Sequence, residues 1–248
     1  MGYIKKYWNT PIGKVVEEYH SGAKPPPGGR TARREPTPEE MEKANQRQKH
    51  RKAHLLLMNN FHEDDYFVTL TYRQEERPED LAACQRQFRN FISRLRREYR
   101  KRGEELKWMR NIERGSRGAW HIHMVVNRIR DTDILIRRHW PYGHPKNVLM
   151  YEEGGFRKLA DYMTKAGDIP KCQRGDCYSH SRNLTMPKEH KKQIKGDIIR
   201  KDGKFRAIHP PNGYYLEKES LYEGINTYTG YPYRYYVLLK ARGKPWKG

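Results

Sequence analysis

Between residues 66 and 166 the hydrophobic pattern changes period again and again, and that succession constrains the fold more than any other feature. Phe67-Val68-Thr69-Leu70-Thr71-Tyr72 alternates with period two and is rich in β-formers, which predicts a strand. Between Asp80 and Lys101, Phe88, Phe91, Ile92 and Leu95 recur at helical spacing among many arginines, giving an amphipathic basic helix. Leu106 to Glu113 reads as a strand, Arg114-Gly115-Ser116-Arg117-Gly118 as a turn, and Trp120 to Val126 as the second strand of a hairpin. A short helix near Asp133–His139, a strand near Asn147–Tyr151 and a helix from Phe156 to Ala166 complete the run. The order β-α-β-β-α-β-α predicts an α+β fold: a central antiparallel sheet with helices mainly on one face, of the ferredoxin-like or RNA-recognition-like kind.

The flanks read less clearly. Pro25-Pro26-Pro27-Gly28-Gly29 and the arginines after it suggest that residues 1–36 form an extended basic arm. Thr37-Pro38-Glu39-Glu40 then opens a helix to about Asn60, with Thr37 as cap and Glu40 closing a capping box. Beyond Asp168, Lys201-Asp202-Gly203 can turn a hairpin and Tyr233–Lys240 a last strand. The expected division is a basic arm and helix over 1–60, a central domain over 61–170, and a basic, Tyr-rich C-terminal extension over 171–248.

Lys and Arg number 51 against 30 Asp and Glu, a net charge of +21. Such a surplus favours polyanion partners, because each cation set against a phosphate releases counterions. No apolar run approaches the roughly 18 residues a spanning helix needs. The N-terminus has no apolar signal core, and three cysteines argue against a disulfide framework, so a reducing cytoplasm is expected.

The strand Trp120–Val126 carries the most chemical information. Alternation puts His121 and His123 on one face, their Cα atoms roughly 6–7 Å apart, and turns Trp120, Ile122, Met124 and Val126 into the core. Two neutral imidazoles at that spacing can converge on one divalent cation. If the hairpin pairs residues whose numbers sum to 234, Glu113 faces His121 and supplies a third ligand. A solvated or structurally hydrogen-bonded His pair fits the same pattern. Downstream, Tyr162 and Lys165 share a helix face. Tyr162 also falls in register with Leu159, Met163 and Ala166, which suits simple packing with the hydroxyl at the rim.

Taken together, Phe67-Val68-Thr69-Leu70-Thr71, then His121-Ile122-His123, then Tyr162-Met163-Thr164-Lys165 resemble the HUH endonucleases. Within them the set looks most like the rolling-circle replication initiators of plasmids, phages and small single-stranded DNA viruses, over roughly residues 62–170. The resemblance implies that His121, His123 and Glu113 hold Mg²⁺ or Mn²⁺. It implies too that Tyr162 is the single catalytic tyrosine, forming a 5′-phosphotyrosine and freeing a 3′-hydroxyl, with Lys165 assisting. Its partner would be single-stranded DNA at a replication origin, contacted by Arg89, Arg94, Arg97 and Lys101 on the basic helix and by Lys158. No G-x-x-x-x-G-K-[ST] occurs, so unwinding would fall to a separate host helicase, and synthesis to a host polymerase.

Two other readings share these features. A single-tyrosine HUH transposase would use the same residues on element ends. A non-catalytic RNA-recognition-like binder would have the strand order, but His121 and His123 stand where aromatic residues belong. The Tyr-rich tail (Tyr214, Tyr215, Tyr228, Tyr231, Tyr233, Tyr235, Tyr236) offers either strand packing or stacking platforms. Cys172 and Cys177 with His180 and His190 give a weak zinc pattern, because the histidines are too far apart for a compact finger.

Overall fold

A computed structural model describes residues 2–22, 35–115, 118–150, 153–165, 178–226 and 229–241. Its elements are β1 (Tyr3–Asn9), β2 (Gly13–His20), α1 (Pro38–Asn60), β3 (Tyr66–Leu70), α2 (Leu81–Lys101), β4 (Trp108–Arg114), β5 (Trp120–Val126), α3 (Thr132–His139), β6 (Pro145–Leu149), α4 (Arg157–Thr164), β7 (Tyr178–His180), β8 (Glu189–Ile194), β9 (Tyr214–Ile225) and β10 (Pro232–Lys240). The chain divides into two compact units, one drawn from Met1–Asn59, Glu153–Lys158 and Met186–Gly248, the other from Asn60–Glu152 and Leu159–Thr185.

The second unit holds the run of alternating periods. Its five strands pair antiparallel in the order β6-β3-β5-β4-β7. The α+β class and the central antiparallel sheet are as the sequence pattern predicts. The β4–β5 hairpin keeps the expected register, with Glu113 opposite His121. Alternation then separates two faces. Val68, Leu70, Ile112, Ile122, Met124 and Val126 point into one core with Phe88, Phe91, Ile92 and Leu95 of α2 and Leu135 and Ile136 of α3. Each large side chain buried there contributes about 1.5–3 kcal/mol. Asp80 caps α2 by accepting from the Ala83 amide at 2.7 Å. The opposite face carries Phe67, Thr69, Asn111, Glu113, His121 and His123, and α4 brings Tyr162 to it.

The first unit overturns the reading of residues 3–20 as part of an arm. Tyr3–Asn9 and Gly13–His20 are a β-hairpin in a sheet ordered β8-β1-β2-β10-β9. Charge hid these strands, because β2 carries Glu17 and Glu18 in a row and both are buried. Arg234 donates to Glu18 from Nε at 2.9 Å and the Tyr236 hydroxyl donates to it at 2.8 Å, while Arg51 and Tyr233 satisfy Glu17. Pairing of this kind lets carboxylates enter a sheet at little net cost. Residues 23–34, with the proline run, lie outside the described residues. The segments from both ends of the chain thus meet in one sheet.

Helix α1 begins with the expected capping box: the Thr37 amide donates to Glu40 Oε2 at 2.9 Å and the Glu40 amide to Thr37 Oγ1 at 3.3 Å. Its Leu55 and Met58 pack on Trp8, Val15, Val237 and Leu239. Lys201-Asp202-Gly203 turns the chain, closed by one bridge between Ile199 and Phe205 rather than by two full strands. In the tail, Tyr236 is buried in the sheet while Tyr215 and Tyr222 stay exposed, and Tyr228 lies outside the described residues.

Candidate active site

On the open face of the second sheet, His123 sits in the centre. Strand β3 supplies Thr69 directly across from it, β4 supplies Asn111 on its other side, and Glu113 follows two residues on. The Tyr162 hydroxyl reaches Nε2 of His123 at 2.7 Å, although 39 residues separate the two in the chain. Thr69 Oγ1 stands 3.2 Å from Nδ1. With the ring proton on Nδ1 toward Thr69, the Tyr162 hydroxyl is the donor to Nε2. The Phe67 ring lies parallel to the imidazole at 5.9 Å between centroids and edge-on to Tyr162 at 5.8 Å. Both rings are thereby confined.

Asn111 fixes the end of the helix that carries the phenol. Its carboxamide donates to the main-chain oxygens of Tyr162 at 3.4 Å and Lys165 at 3.2 Å, and the residue is only 2 % exposed. These carbonyls lie in the last turn of α4 and just past it, where the helix leaves its final C=O groups without intrahelical donors, so Asn111 acts as a side-chain cap. Sequence reasoning passed over Asn111, yet the register rule that placed Glu113 opposite His121 also puts Asn111 opposite His123.

Burial, with a smaller part from His121, pulls the His123 pKa down to about 4, so the ring is neutral at pH 7. Burial and then the facing Glu113 carboxylate push Tyr162 up to about 12. The resting phenol therefore keeps its proton.

The donors His121, His123 and Glu113 suit a divalent cation, two imidazoles and one carboxylate being a common set. His123 Nε2 and Glu113 Oε2 lie 3.8 Å apart, a span that two ligands of one ion cover at about 2.0–2.2 Å each. His121 stands on the same face, its ring centroid 6.3 Å from that of His123. Among the described residues no three such side chains converge on a common point as placed, so His121 must turn its ring to join. A cation on Nε2 of His123 would also take the place that the Tyr162 hydroxyl holds.

Other expected residues fall elsewhere. Lys165 is exposed, and its side chain makes no hydrogen bond or ion pair with the described residues. Arg94, Arg97 and Lys101 lie on the outer side of α2 and Arg89 on its flank toward β4, all across the sheet from Tyr162, and Lys101 pairs with Glu98 at 2.9 Å. Lys158 belongs to the first unit, 3.8 Å from Glu219. Cys172 and Cys177 lie outside the described residues.

Residues 65–167 match the family described as Replication-associated protein ORF2/G2P. The matched span is under half of the 248 residues but runs from β3 through α4, and so contains Glu113, His121, His123, Tyr162 and Lys165. It likens this part of the chain to replication initiators. Comparisons with curated proteins and with solved structures gave no match.

Proposed function

We propose, taking the likeness to replication initiators as premise, that this chain nicks and rejoins single-stranded DNA at an origin through Tyr162, and so starts and ends rolling-circle replication. The observation that carries the proposal is the 2.7 Å contact between the Tyr162 hydroxyl and His123, with Glu113 on the same face. A phenol and an imidazole from distant parts of the chain are in hydrogen-bond contact.

In this reading His121, His123 and Glu113 hold Mg²⁺ or Mn²⁺, which when bound withdraws charge from a non-bridging phosphate oxygen. Tyr162 leaves its hydrogen bond to His123 and faces the scissile phosphorus. Its oxygen bonds to phosphorus, its proton passes to water, and the P–O3′ bond breaks as the leaving 3′-oxygen takes a proton from water. The 3′-oxygen departs as a hydroxyl able to prime synthesis, and the 5′-phosphate stays on Tyr162. Reversal by an incoming 3′-hydroxyl rejoins the strand without ATP, since the phosphodiester's energy is kept in the tyrosyl ester. Asn111 and Phe67 keep the phenol oriented throughout, and Lys165, exposed three residues on from Tyr162, would meet a phosphate. The strand must be single at the cleaved step so that its phosphate can present itself in line to a side chain on a sheet face. The family likeness supports origins over the ends of mobile elements as the target.

Incubation of the full chain with single-stranded oligonucleotides and Mn²⁺, followed by mass spectrometry, should find DNA on the peptide containing Tyr162. A Tyr162→Phe protein that still cleaves and becomes labelled would overturn the assignment.

A further inference from the structure

We propose a second nucleic-acid site: a cleft on the helical side of the β4–β7 edge that takes one phosphate-bearing nucleotide of a single strand. The inference rests on the reading above only for the identity of the strand; the site is separate from Tyr162, on the other face of the sheet.

The cleft has a volume of about 530 Å³, and its walls come from α2 (Phe88, Arg89, Arg96), β4 (Trp108, Arg110) and β7 (Ser179). That size falls within the roughly 300–1,000 Å³ typical of small-ligand sites. Arg89 and Arg96 are seven residues apart, two turns of helix, and so share the face that looks onto β4. Arg110 projects from the strand on the same side, only 7 % exposed, with its guanidinium 5.1 Å from the centroid of Phe88. Three guanidinium groups therefore border one recess, and no carboxylate is among the described residues that line it.

Arg89 and Arg96 bring two positive charges to a partly dry wall, and an anion in the recess relieves their repulsion. A guanidinium's forked donors match phosphate oxygens, which makes three arginines around one cavity a phosphate signature more than a general basic surface. The rest of the lining includes the aromatic rings of Phe88, Trp108 and Tyr178 beside Gln85, Ile92 and Ser179. Trp108 and Phe88 meet edge-to-face at 5.2 Å, and the indole nitrogen of Trp108 has no hydrogen-bond partner among the described residues. An apolar ring surface beside clustered cations suits a base next to its phosphate. An unpaired nucleotide can enter such a recess, whereas a base within a duplex cannot leave its stack without cost. Held here, a strand would be retained on the sheet opposite to the nicking chemistry.

The test follows the Trp108 indole N–H by NMR in the full-length protein without divalent cation, the signal being assigned by its loss in Trp108→Phe. The probes are a single-stranded hexathymidylate, dTMP and inorganic pyrophosphate. The hexamer should shift the indole signal. Arg89→Gln/Arg96→Gln should weaken the midpoint of that shift at least about tenfold and reduce its salt dependence, since fewer counterions are released. Arg89 is exposed, so Arg89→Gln alone, expected to weaken the midpoint less, keeps the test informative should the double variant fail to fold. An indole signal that stays put at saturating hexamer, or an unchanged midpoint in the folded double variant, would overturn the proposal. So would dTMP or pyrophosphate acting as strongly as the hexamer, which would make this a site for free nucleotides. A DNA adduct on Tyr162 with an unmoved indole sinks this site alone; a moved indole without any adduct sinks the nicking reading alone.

Discussion

The carboxamide of Asn111 donates to the main-chain oxygen of Lys165 at 3.2 Å, tying the end of α4 to the centre of the sheet. It places the Tyr162 side chain one turn back over His123. Asn111→Ala removes two part-buried hydrogen bonds, together worth roughly 1–3 kcal/mol of stability. Because Asn111 positions rather than reacts, the expected signature is a cleavage kcat lowered about tenfold or more, with Mn²⁺ affinity unchanged. A fall in Mn²⁺ affinity equal to the fall in kcat would assign Asn111 to the ligand set instead.

With the proposed cation bound, the Tyr162 hydroxyl and the ion would compete for Nε2 of His123. Tyr162→Phe should therefore bind Mn²⁺ at least as tightly as the parent chain in the absence of DNA, measured by the loss of the free-ion EPR signal. Weaker binding would show that the hydroxyl is itself a ligand.

Stability should fall in acid through His54. This ring is fully buried, with Nε2 2.6 Å from the Gly155 carbonyl oxygen, and burial pulls its pKa down to about 4. Between pH 6.5 and 4 the unfolded chain binds a proton that the folded chain refuses, so stability rises with pH across that window and is lost as pH falls through it. The full effect is on the order of 3 kcal/mol. Urea melts of the parent and of His54→Gln at pH 7 and pH 5 should show a smaller drop in the variant; parallel drops would exclude His54 as the source.

Glu18 and Arg234 have side chains only 5 % and 6 % exposed. Burial alone would raise the Glu18 carboxyl, but Arg234, with Lys5 and the Tyr236 hydroxyl, outweighs it and holds the group below the usual carboxylate range. Glu18→Gln leaves the buried Arg234 guanidinium with only the part-exposed Glu223 carboxylate, 3.6 Å away, and should cost up to about 3–5 kcal/mol. Glu18→Gln/Arg234→Met should recover part of that loss in the same urea melt. A double variant no more stable than the single would argue against a coupled pair.

Gly143 is required where the chain passes the end of the first strand of the central run. A Cβ there would run into the Thr71 carbonyl oxygen, the group that accepts from the Trp140 indole at 2.9 Å. Gly143→Ala should lower stability by about 2–4 kcal/mol, read from the unfolding midpoint. An unchanged midpoint would mean the backbone gives way cheaply.

Legibility followed physical cause. The second sheet could be read because one face of each strand is buried in a single core, so apolar residues alternate from Val68 to Leu70 and from Ile122 to Val126. The hairpin register followed from the short turn, and with it the meeting of Glu113 and His121. The approach of Tyr162 to His123 was legible only as a resemblance, since nothing in local periodicity says onto which face a later helix returns. Strands β1 and β2 were missed because Lys5, Lys6, Glu17 and Glu18 break the apolar alternation, and partners that make them tolerable are remote: Tyr236, Tyr233 and Arg234 of β10 for Lys5, Glu17 and Glu18, over two hundred residues away, and Glu189 of β8 for Lys6. Asn111 was missed for a different reason: an amide on a strand carries no signal until its acceptors are known.

The pairing of β2 with β10 also sets an order of events on the ribosome. Residues 60–185, which make up most of the second unit, are synthesised before any of β8, β9 or β10 exists. The opening hairpin must wait through that interval with an unpaired edge, the condition that invites edge-to-edge association. Its Lys5, Lys6, Glu17 and Glu18, which obscured it as a strand, are the side chains that keep such an edge soluble until its last partner emerges.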